Sequence, residues 1–202
     1  MEAQTKWIPG ARGRDHSCPR ISSCRPRKAE IIRHKGKKLK DILDAHEKFH
    51  KGYEGGERAD LSGADLSGAD LKKRDLTGAN LAGSNLRKAD LRGAKLSHAD
   101  LSRADLRQAD LRNCDFTETR LEGADLSEAD LSGTELFRGD LRSAKLHKTI
   151  LRGTVLRQAN LLGADFSGSD LALASFREID LTGVTLDGAE LKDAVVRDIR
   201  KS

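Results

Sequence analysis

Carboxylate side chains recur every five residues through most of the chain, and such side chains often serve in acid–base catalysis. The series includes Asp60, Asp65, Asp70, Asp75, Asp90, Asp100, Asp105 and Asp110. Each stands at the same place of a repeating five-residue unit, so the repeat itself explains the spacing. A catalytic pair needs two carboxyl groups whose surroundings push their pKa values apart. The series singles out no such pair, and we therefore predict no catalytic residues and no enzyme activity.

A second group of reactive side chains stands near the amino terminus, where His16, Cys18, Cys24 and His34 could in principle bind zinc. Their spacing matches neither the paired cysteines nor the paired histidines of zinc sites. The glycines follow the five-residue period and form no phosphate-binding loop. We therefore expect no metal site and no cofactor. Cys114 falls on a small apolar position of the repeat, which predicts a buried side chain.

The five-residue unit runs from residue 59 to residue 198 and has one apolar centre, usually Leu. Two residues earlier stands a small residue, usually Ala, and Asp or Asn lies between them. A period of five makes no stripe on an α-helix, and on a straight strand it alternates between the two faces. A chain that turns a corner once per unit keeps Ala and Leu inside. Such units bury their apolar side only by stacking, which predicts a solenoid.

The run ADLSGADLSGADL at 59–71, with more than twenty further copies of A-(D/N)-L-x-x, resembles the pentapeptide-repeat family. The resemblance implies an all-β fold, namely a right-handed, four-sided parallel β-helix with four units in each coil. Residues 59–198 would then form about seven coils. At the spacing of paired strands, the solenoid would be about 34 Å long.

The residues before the repeat divide into two segments. Residues 1–36 contain all three prolines and no apolar periodicity, which predicts a basic, disordered tail. Residues 37–58 are predicted to form an amphipathic helix and a glycine-rich linker. One face of that helix would carry Leu39, Ile42, Leu43, His46 and Phe49. We interpret it as a cap on the first coil, with a partner-binding helix as the alternative; it resembles the short helix before the repeats of many bacterial members of the family.

Two apolar sets break the pattern of the repeat. Phe137, Ile150, Val155, Leu162 and Leu173 stand at outward positions of neighbouring units, which indicates either a surface for a partner or drift of the repeat. The last coil lacks a helix of its own, and residues 199–202 are predicted to be a short tail. A symmetric dimer through this end would use Val184, Val195, Val196 and Ile199.

These features favour a rigid scaffold for protein–protein interaction, whose partner the sequence does not identify. Residues 1–58 hold 15 Lys and Arg against 8 Asp and Glu, whereas residues 59–198 hold 20 against 24. One alternative, implied by the resemblance, is a DNA mimic that protects DNA gyrase or topoisomerase IV against quinolones or peptide toxins. Another is tethering to nucleic acid or membrane through the basic amino-terminal arm. No transmembrane stretch or apolar signal region is evident, so we expect a cytoplasmic location.

Overall fold

The structure is a computed structural model, and it describes residues 27–198 of the 202-residue chain. Two short antiparallel strands, β1 (Arg33–His34) and β2 (Lys37–Lys38), lead into one helix, α1 (Leu39–His50). Three strands follow much later: β3 (Val155–Arg157), β4 (Ser175–Arg177) and β5 (Val195–Arg197). Through the rest of the repeat, successive turns of the chain are joined by isolated β-bridges.

These bridges are parallel, and those within the repeat connect residues that are twenty positions apart. They run from Asp60 and Asn80 to Asp170 and Glu190. Since each unit has five residues, one coil of the solenoid contains four units and has four faces. The amide of Leu61 donates to the carbonyl of Asn80 at 2.7 Å. The amide of Asn80 donates to the carbonyl of Ala59 at 2.9 Å. Each coil therefore satisfies the backbone groups of the coils beside it.

Each face of the solenoid consists of the units that lie twenty residues apart. Faces 1, 2, 3 and 4 begin with the units centred on Leu61, Leu66, Leu71 and Leu76. Face 4 differs from the others in its last three coils, where β3, β4 and β5 pair over three residues each. This face therefore ends in a three-stranded parallel sheet.

The core is a stack of central side chains, and every one of them from Leu61 to Leu171 is fully buried. Burial of one such leucine is worth roughly 1.5–3 kcal/mol. Two residues after each centre the chain turns a corner with positive φ. Glycine commonly fills this corner, as Gly63 does with φ of 65°, in agreement with the conformation that tight turns require. Other corners hold side chains that tolerate this conformation less well, among them Leu173 with φ of 61°.

Some threonines at the small inward position are held by the backbone of the preceding coil. The hydroxyl of Thr119 donates to the carbonyl of Leu96 at 2.6 Å, and that of Thr154 donates to Leu131 at 3.1 Å. Both threonines are completely buried. The hydroxyl of Thr134 is buried at the same kind of position and has no partner among the described residues. A threonine therefore fits this position well only where a carbonyl is within reach.

Residues 27–36 lie against the first coil, although the sequence analysis expected a disordered tail to continue to residue 36. The amide of Arg27 donates to the carbonyl of Gly68 at 2.6 Å, and the amide of Asp70 donates to the carbonyl of Arg27 at 3.0 Å. Ile32 is only 1% exposed. This order comes from contacts with residues far along the chain, which local periodicity does not reveal. Residues 1–26, the rest of the expected tail, lie outside the described residues, as do residues 199–202.

Helix α1 buries most of the face that its periodicity indicates. Leu39, Ile42, Leu43 and His46 are buried, but Phe49 is 48% exposed. Phe49 lies about 80° from Leu39 around the helix axis, at the margin of the buried face. The helix starts at residue 39 rather than 37 because the two preceding residues belong to β2. No helix within residues 27–198 combines the length and the apolar character that a membrane span requires.

The two ends of the solenoid differ in how well their central side chains are covered. The four centres of the first coil are completely buried. At the other end, Leu191 is 43% and Val196 is 52% exposed, and Leu181 and Leu186 are only partly buried. Within the described residues, the inner side chains of the last coil are therefore open to solvent.

Candidate functional site

The regularly spaced aspartates and asparagines support the backbone of the unit in which they stand. A carboxylate oxygen of Asp100 accepts the amide hydrogen of Ser102 at 2.9 Å, and Asp130 accepts that of Ser132 at the same distance. The same bond recurs in most of the repeat and closes a local turn before the corner. The middle position of the unit therefore favours Asp and Asn for a structural reason.

On face 3 these carboxylates also form a ladder with arginines. Arg92 donates through Nε and Nη2 to the two oxygens of Asp90, both at 2.9 Å. Its Nε also lies 3.4 Å from the carboxylate of Asp110 in the next coil. Burial opposes ionisation of Asp90, but the hydrogen bonds from Arg92 and Lys72 outweigh it and lower its pKa. The ladder therefore consists of ionised, mutually neutralising groups, typical of a solvated surface.

The cavity nearest the amino terminus has a volume of about 200 Å³ and is lined mainly by charged side chains of β1, β2, α1 and residues 57–60. Its charges pair with one another. Lys35 lies 2.5 Å from Asp60, and Lys37 lies 3.0 Å from Glu57. The hydrogen bond from Lys35 lowers the pKa of Asp60 to about 2. Among residues 27–198, no three His, Cys, Asp or Glu side chains are placed to hold a metal ion.

His46 and His50 stand one turn apart on α1, with their Nε2 atoms 3.3 Å apart. Such pairs often bind metals, but the second ring nitrogen of His46 argues for another role. Its Nδ1 accepts the amide hydrogen of Ala59 at 3.0 Å, so the neutral ring carries its proton on Nε2 and has no free lone pair there. Burial, followed by the charge of His50, lowers the pKa of His46. His46 therefore joins α1 to the first coil.

The five outward apolar residues occupy adjoining faces. Phe137 and Val155 lie on face 4, Ile150 and Leu173 lie on face 3, and Leu162 lies on face 1, next to the corner that leads to face 2. Leu173 is 63% exposed, Leu162 53%, and Ile150 and Val155 39% each. The set is therefore spread over three faces, and only Phe137, Ile150, Val155 and Leu173 share the two adjoining faces 3 and 4.

Phe137 is partly buried because two arginines cover its ring. The guanidinium carbon of Arg138 lies 4.9 Å from the ring centroid, and that of Arg157 lies 5.8 Å from it. Arg157 belongs to the next coil, twenty residues after Phe137. Sequence reasoning singled out Phe137 but missed both arginines, although the twenty-residue register of the predicted fold would have identified Arg157. The pair gives this surface a combined aromatic and cationic character.

The residues expected at the carboxyl-terminal dimer edge divide between two surfaces. Val196 points toward the open end of the core and is 52% exposed, and Val184 is partly buried beside it. Val195 is 44% exposed and lies on the outside of face 4, because successive residues of β5 alternate in direction. Sequence reasoning missed Leu191, which is 43% exposed at the open end. Ile199 lies outside the described residues.

A family model described as pentapeptide repeats matches the chain in 8 copies, over residues 57–77, 75–113, 94–133, 104–142, 140–177 and 159–198. The chain belongs to the pentapeptide-repeat family. The family resemblance predicted from the sequence is thereby confirmed. Pentapeptide-repeat proteins form right-handed β-helices, which agrees with the parallel, twenty-residue register seen here.

Several solved pentapeptide-repeat structures are similar to this chain. HetL of Nostoc sp. strain PCC 7120, involved in heterocyst differentiation regulation, is 34% identical over 68% of this chain and 83% of its own, with a TM-score of 0.34. Trypsin-treated QnrB1, a plasmid-mediated fluoroquinolone resistance protein, is 28% identical over 69% and 78%, with a TM-score of 0.40. A thylakoid-lumen protein of Arabidopsis thaliana is 33% identical over 55% and 67%, with a TM-score of 0.16. The chain has no match among curated proteins.

Proposed function

We propose that this pentapeptide-repeat protein is a non-enzymatic scaffold that binds a protein partner through the outer faces of its later coils. The observation that carries the proposal is the exposure of Ile150 and Leu173 on face 3, which are 39% and 63% exposed. They stand at outward positions that the repeat otherwise fills mainly with polar residues or glycine. Exposed apolar side chains near one another on a charged surface are typical of a contact site.

Leu173 supports the proposal most directly, because every other described corner of the repeat holds glycine or a polar side chain. Its φ of 61° is in the left-handed region, which costs a side chain such as leucine about 1–2 kcal/mol. Gly153, twenty residues earlier in the same column, turns the same corner with φ of 64°. Glycine would therefore suit the backbone better, and the leucine side chain is mostly exposed. Positive φ recurs at 15 corners that hold polar side chains, so the apolar character of Leu173, and not its φ alone, indicates a contact.

Ile150 interrupts the charge ladder of face 3 close to Leu173. Its bridge partners in the coils on either side are Asp130 and Asp170. Arg152 stands two residues after Ile150, just as Arg92 stands two residues after Asp90. Arg152 therefore has no carboxylate two residues before it. It donates instead to Asp170 in the next coil. The ladder that neutralises this face is therefore incomplete where the apolar side chains are exposed.

The decisive experiment separates binding from stability with two variants on face 3. Leu173→Gly removes the strain and the apolar side chain, so we expect the free energy of unfolding to rise by about 0.5–1 kcal/mol while partner capture falls. The control is Lys73→Gly, which relieves a corner of the same column, with φ of 54°, in the first coil. It should stabilise the protein similarly and leave capture unchanged.

Capture is measured by proximity labelling in the native host, followed by binding of the purified partner to each variant. Ile150→Asp is a second test, because it would restore the aspartate of the ladder and remove an apolar contact. We expect this variant to fold normally and to bind the partner less tightly than the wild type does. If Leu173→Gly and Ile150→Asp both retain the wild-type set of labelled proteins, the surface is not the contact site.

The other two functions considered from the sequence gain no support from these contacts. A DNA-mimic role would require a continuous negative surface. On face 3, however, the aspartates that would form such a surface make ion pairs with arginines. In the described part of the basic arm, Lys35 and Lys37 are engaged by Asp60 and Glu57. We therefore propose the scaffold alone.

We further propose that residues 27–58 cap the first of seven coils and that a second copy of the chain covers the open end of the last. The exposure of Leu191 and Val196 supports the second statement, because inner side chains left open favour association. Light scattering coupled to gel filtration should show a dimer that Val196→Asp converts to monomer. Only monomer at every concentration of the wild type would contradict this arrangement.

A further inference from the structure

Three arginines form a column on face 4 along the axis of the solenoid. Arg157, Arg177 and Arg197 are direct partners in the register of β3, β4 and β5. Neighbouring positions in such a sheet are about 4.8 Å apart. Like charges directly opposite one another on adjacent strands are destabilising. The column is therefore unfavourable by itself and would be relieved by a negatively charged ligand.

The surroundings of this column differ from those of the basic residues on face 3. Arg92 and Arg112 on face 3 each clasp the aspartate two residues earlier through Nε and Nη2. On face 4 the residues two positions before the arginines carry no charge, and they are Val155, Ser175 and Val195. These guanidinium groups therefore lack the carboxylate on their own strand that neutralises the arginines of face 3.

Two carboxylates beside the column neutralise it only in part. Glu178 lies 3.1 Å from Arg157 and 3.9 Å from Arg177, and it also accepts a hydrogen bond from Gln158 at 2.5 Å. Asp198 lies 3.9 Å from Arg177. The side chains of Arg157 and Arg177 remain 46% and 52% exposed. Their planar groups can therefore still receive carboxylates of a partner.

Apolar side chains lie beside the arginines on the sheet formed by β3, β4 and β5. Val155 is 39% and Val195 is 44% exposed. Phe137 precedes the column by one coil, and its ring contacts Arg157. Exposed arginine and aromatic side chains are enriched among the residues that dominate protein interfaces. A nucleic-acid backbone would gain little from the valines, so the mixed surface favours a protein ligand.

We propose that this part of face 4 binds an acidic segment of a protein, whose carboxylates pair with the arginine column and whose apolar side chains contact Phe137, Val155 and Val195. The inference rests on the proposed scaffold function and names the chemistry of its partner. Association should be weakened by salt, because the pairing groups are exposed.

The test uses the full-length protein and a fluorescent twelve-residue peptide of glutamate with phenylalanine at every fourth position. The same peptide with glutamine in place of glutamate reports the requirement for charge, and a short DNA duplex reports nucleic-acid binding. We expect Arg157→Gln with Arg177→Gln to weaken binding of the glutamate peptide at least tenfold by fluorescence anisotropy. The matched control, Arg92→Gln with Arg112→Gln, removes two arginines of face 3 and should change the affinity less than twofold.

The two double variants have equal net charge, so any contribution from the basic arm affects both alike. The inference would be overturned if both double variants lost affinity for the glutamate peptide equally. It would also be overturned if the wild type did not bind this peptide, or bound the glutamine peptide equally well. Tighter, column-dependent binding of the duplex would show a nucleic-acid surface instead. The scaffold proposal is judged separately: if Leu173→Gly lowers partner capture while the column variants bind peptide normally, only the acidic-partner inference fails.

Discussion

Replacing His46 by leucine tests how the segment before the repeat is joined to the first coil. His46 is completely buried, and its Nδ1 accepts the amide hydrogen of Ala59 at 3.0 Å. Leucine has a similar volume and is apolar, so it preserves most of the packing but provides no acceptor. The amide of Ala59, a residue that is only 2% exposed, would then lack its partner.

The expected effect follows from the cost of a buried donor without an acceptor, which is about 1–3 kcal/mol. Burial of the leucine side chain offsets a part of that cost. We therefore expect His46→Leu to lower the free energy of unfolding by about 1–2 kcal/mol. For a chain of this size the change corresponds to roughly 2–8 °C in Tm.

The assay combines urea unfolding with hydrogen exchange of the Ala59 amide. His46→Leu should accelerate this exchange, because the amide loses its hydrogen bond. His46→Asn is the matched control, since its side-chain oxygen stands at the place of Nδ1 and can still accept the bond. We expect His46→Asn to lose stability through the missing ring while it retains protection of Ala59.

The same bond predicts a dependence on pH, because Nδ1 cannot accept a hydrogen bond once it is protonated. Burial, followed by the charges of His50 and Arg58, lowers the pKa of His46 below its ordinary value of 6.5, and Asp75 and the carbonyl of Thr77 oppose the shift. The unfolded chain therefore binds a proton more readily. This contribution to stability is complete above about pH 6.5 and decreases as the pH falls from there toward the folded-state pKa. An unchanged pH dependence in His46→Leu, or an Ala59 amide as protected as in the wild type, would refute the reasoning.

Two further predictions concern inward positions of the core. Thr134→Val should raise the free energy of unfolding in urea by about 1 kcal/mol, since it removes a buried hydroxyl without a partner in the described residues. Thr154→Val should lower it by a similar amount, because the hydroxyl of Thr154 donates to the carbonyl of Leu131. The opposite order of stabilities would contradict this account. Burial raises the pKa of the Cys114 thiol to about 12. In a chain with Cys18 and Cys24 replaced by Ser, a thiol reagent should label Cys114 only as fast as the protein unfolds, and rapid labelling of the native protein would disprove its burial.

The repeat by itself determined most of the core, because every unit solves the same packing problem in the same way. The centres from Leu61 to Leu171 are buried as their period requires. The same reasoning assigned Cys114 to the interior, where it is 2% exposed. Helical periodicity correctly indicated most of the buried face of α1. The buried residues of this face are Leu39, Ile42, Leu43 and His46.

The tertiary structure decided the features that depend on which side chains meet across coils. Ile32 is buried although it precedes the repeat, and His46 meets Ala59 after the glycine-rich linker. Phe137 contacts an arginine from the next coil, and the arginines of β3, β4 and β5 come together only because one turn takes twenty residues. The physical reason is that a five-residue period specifies which side chains point inward. The contacts between outward side chains depend instead on the register of stacked coils and on what covers each end.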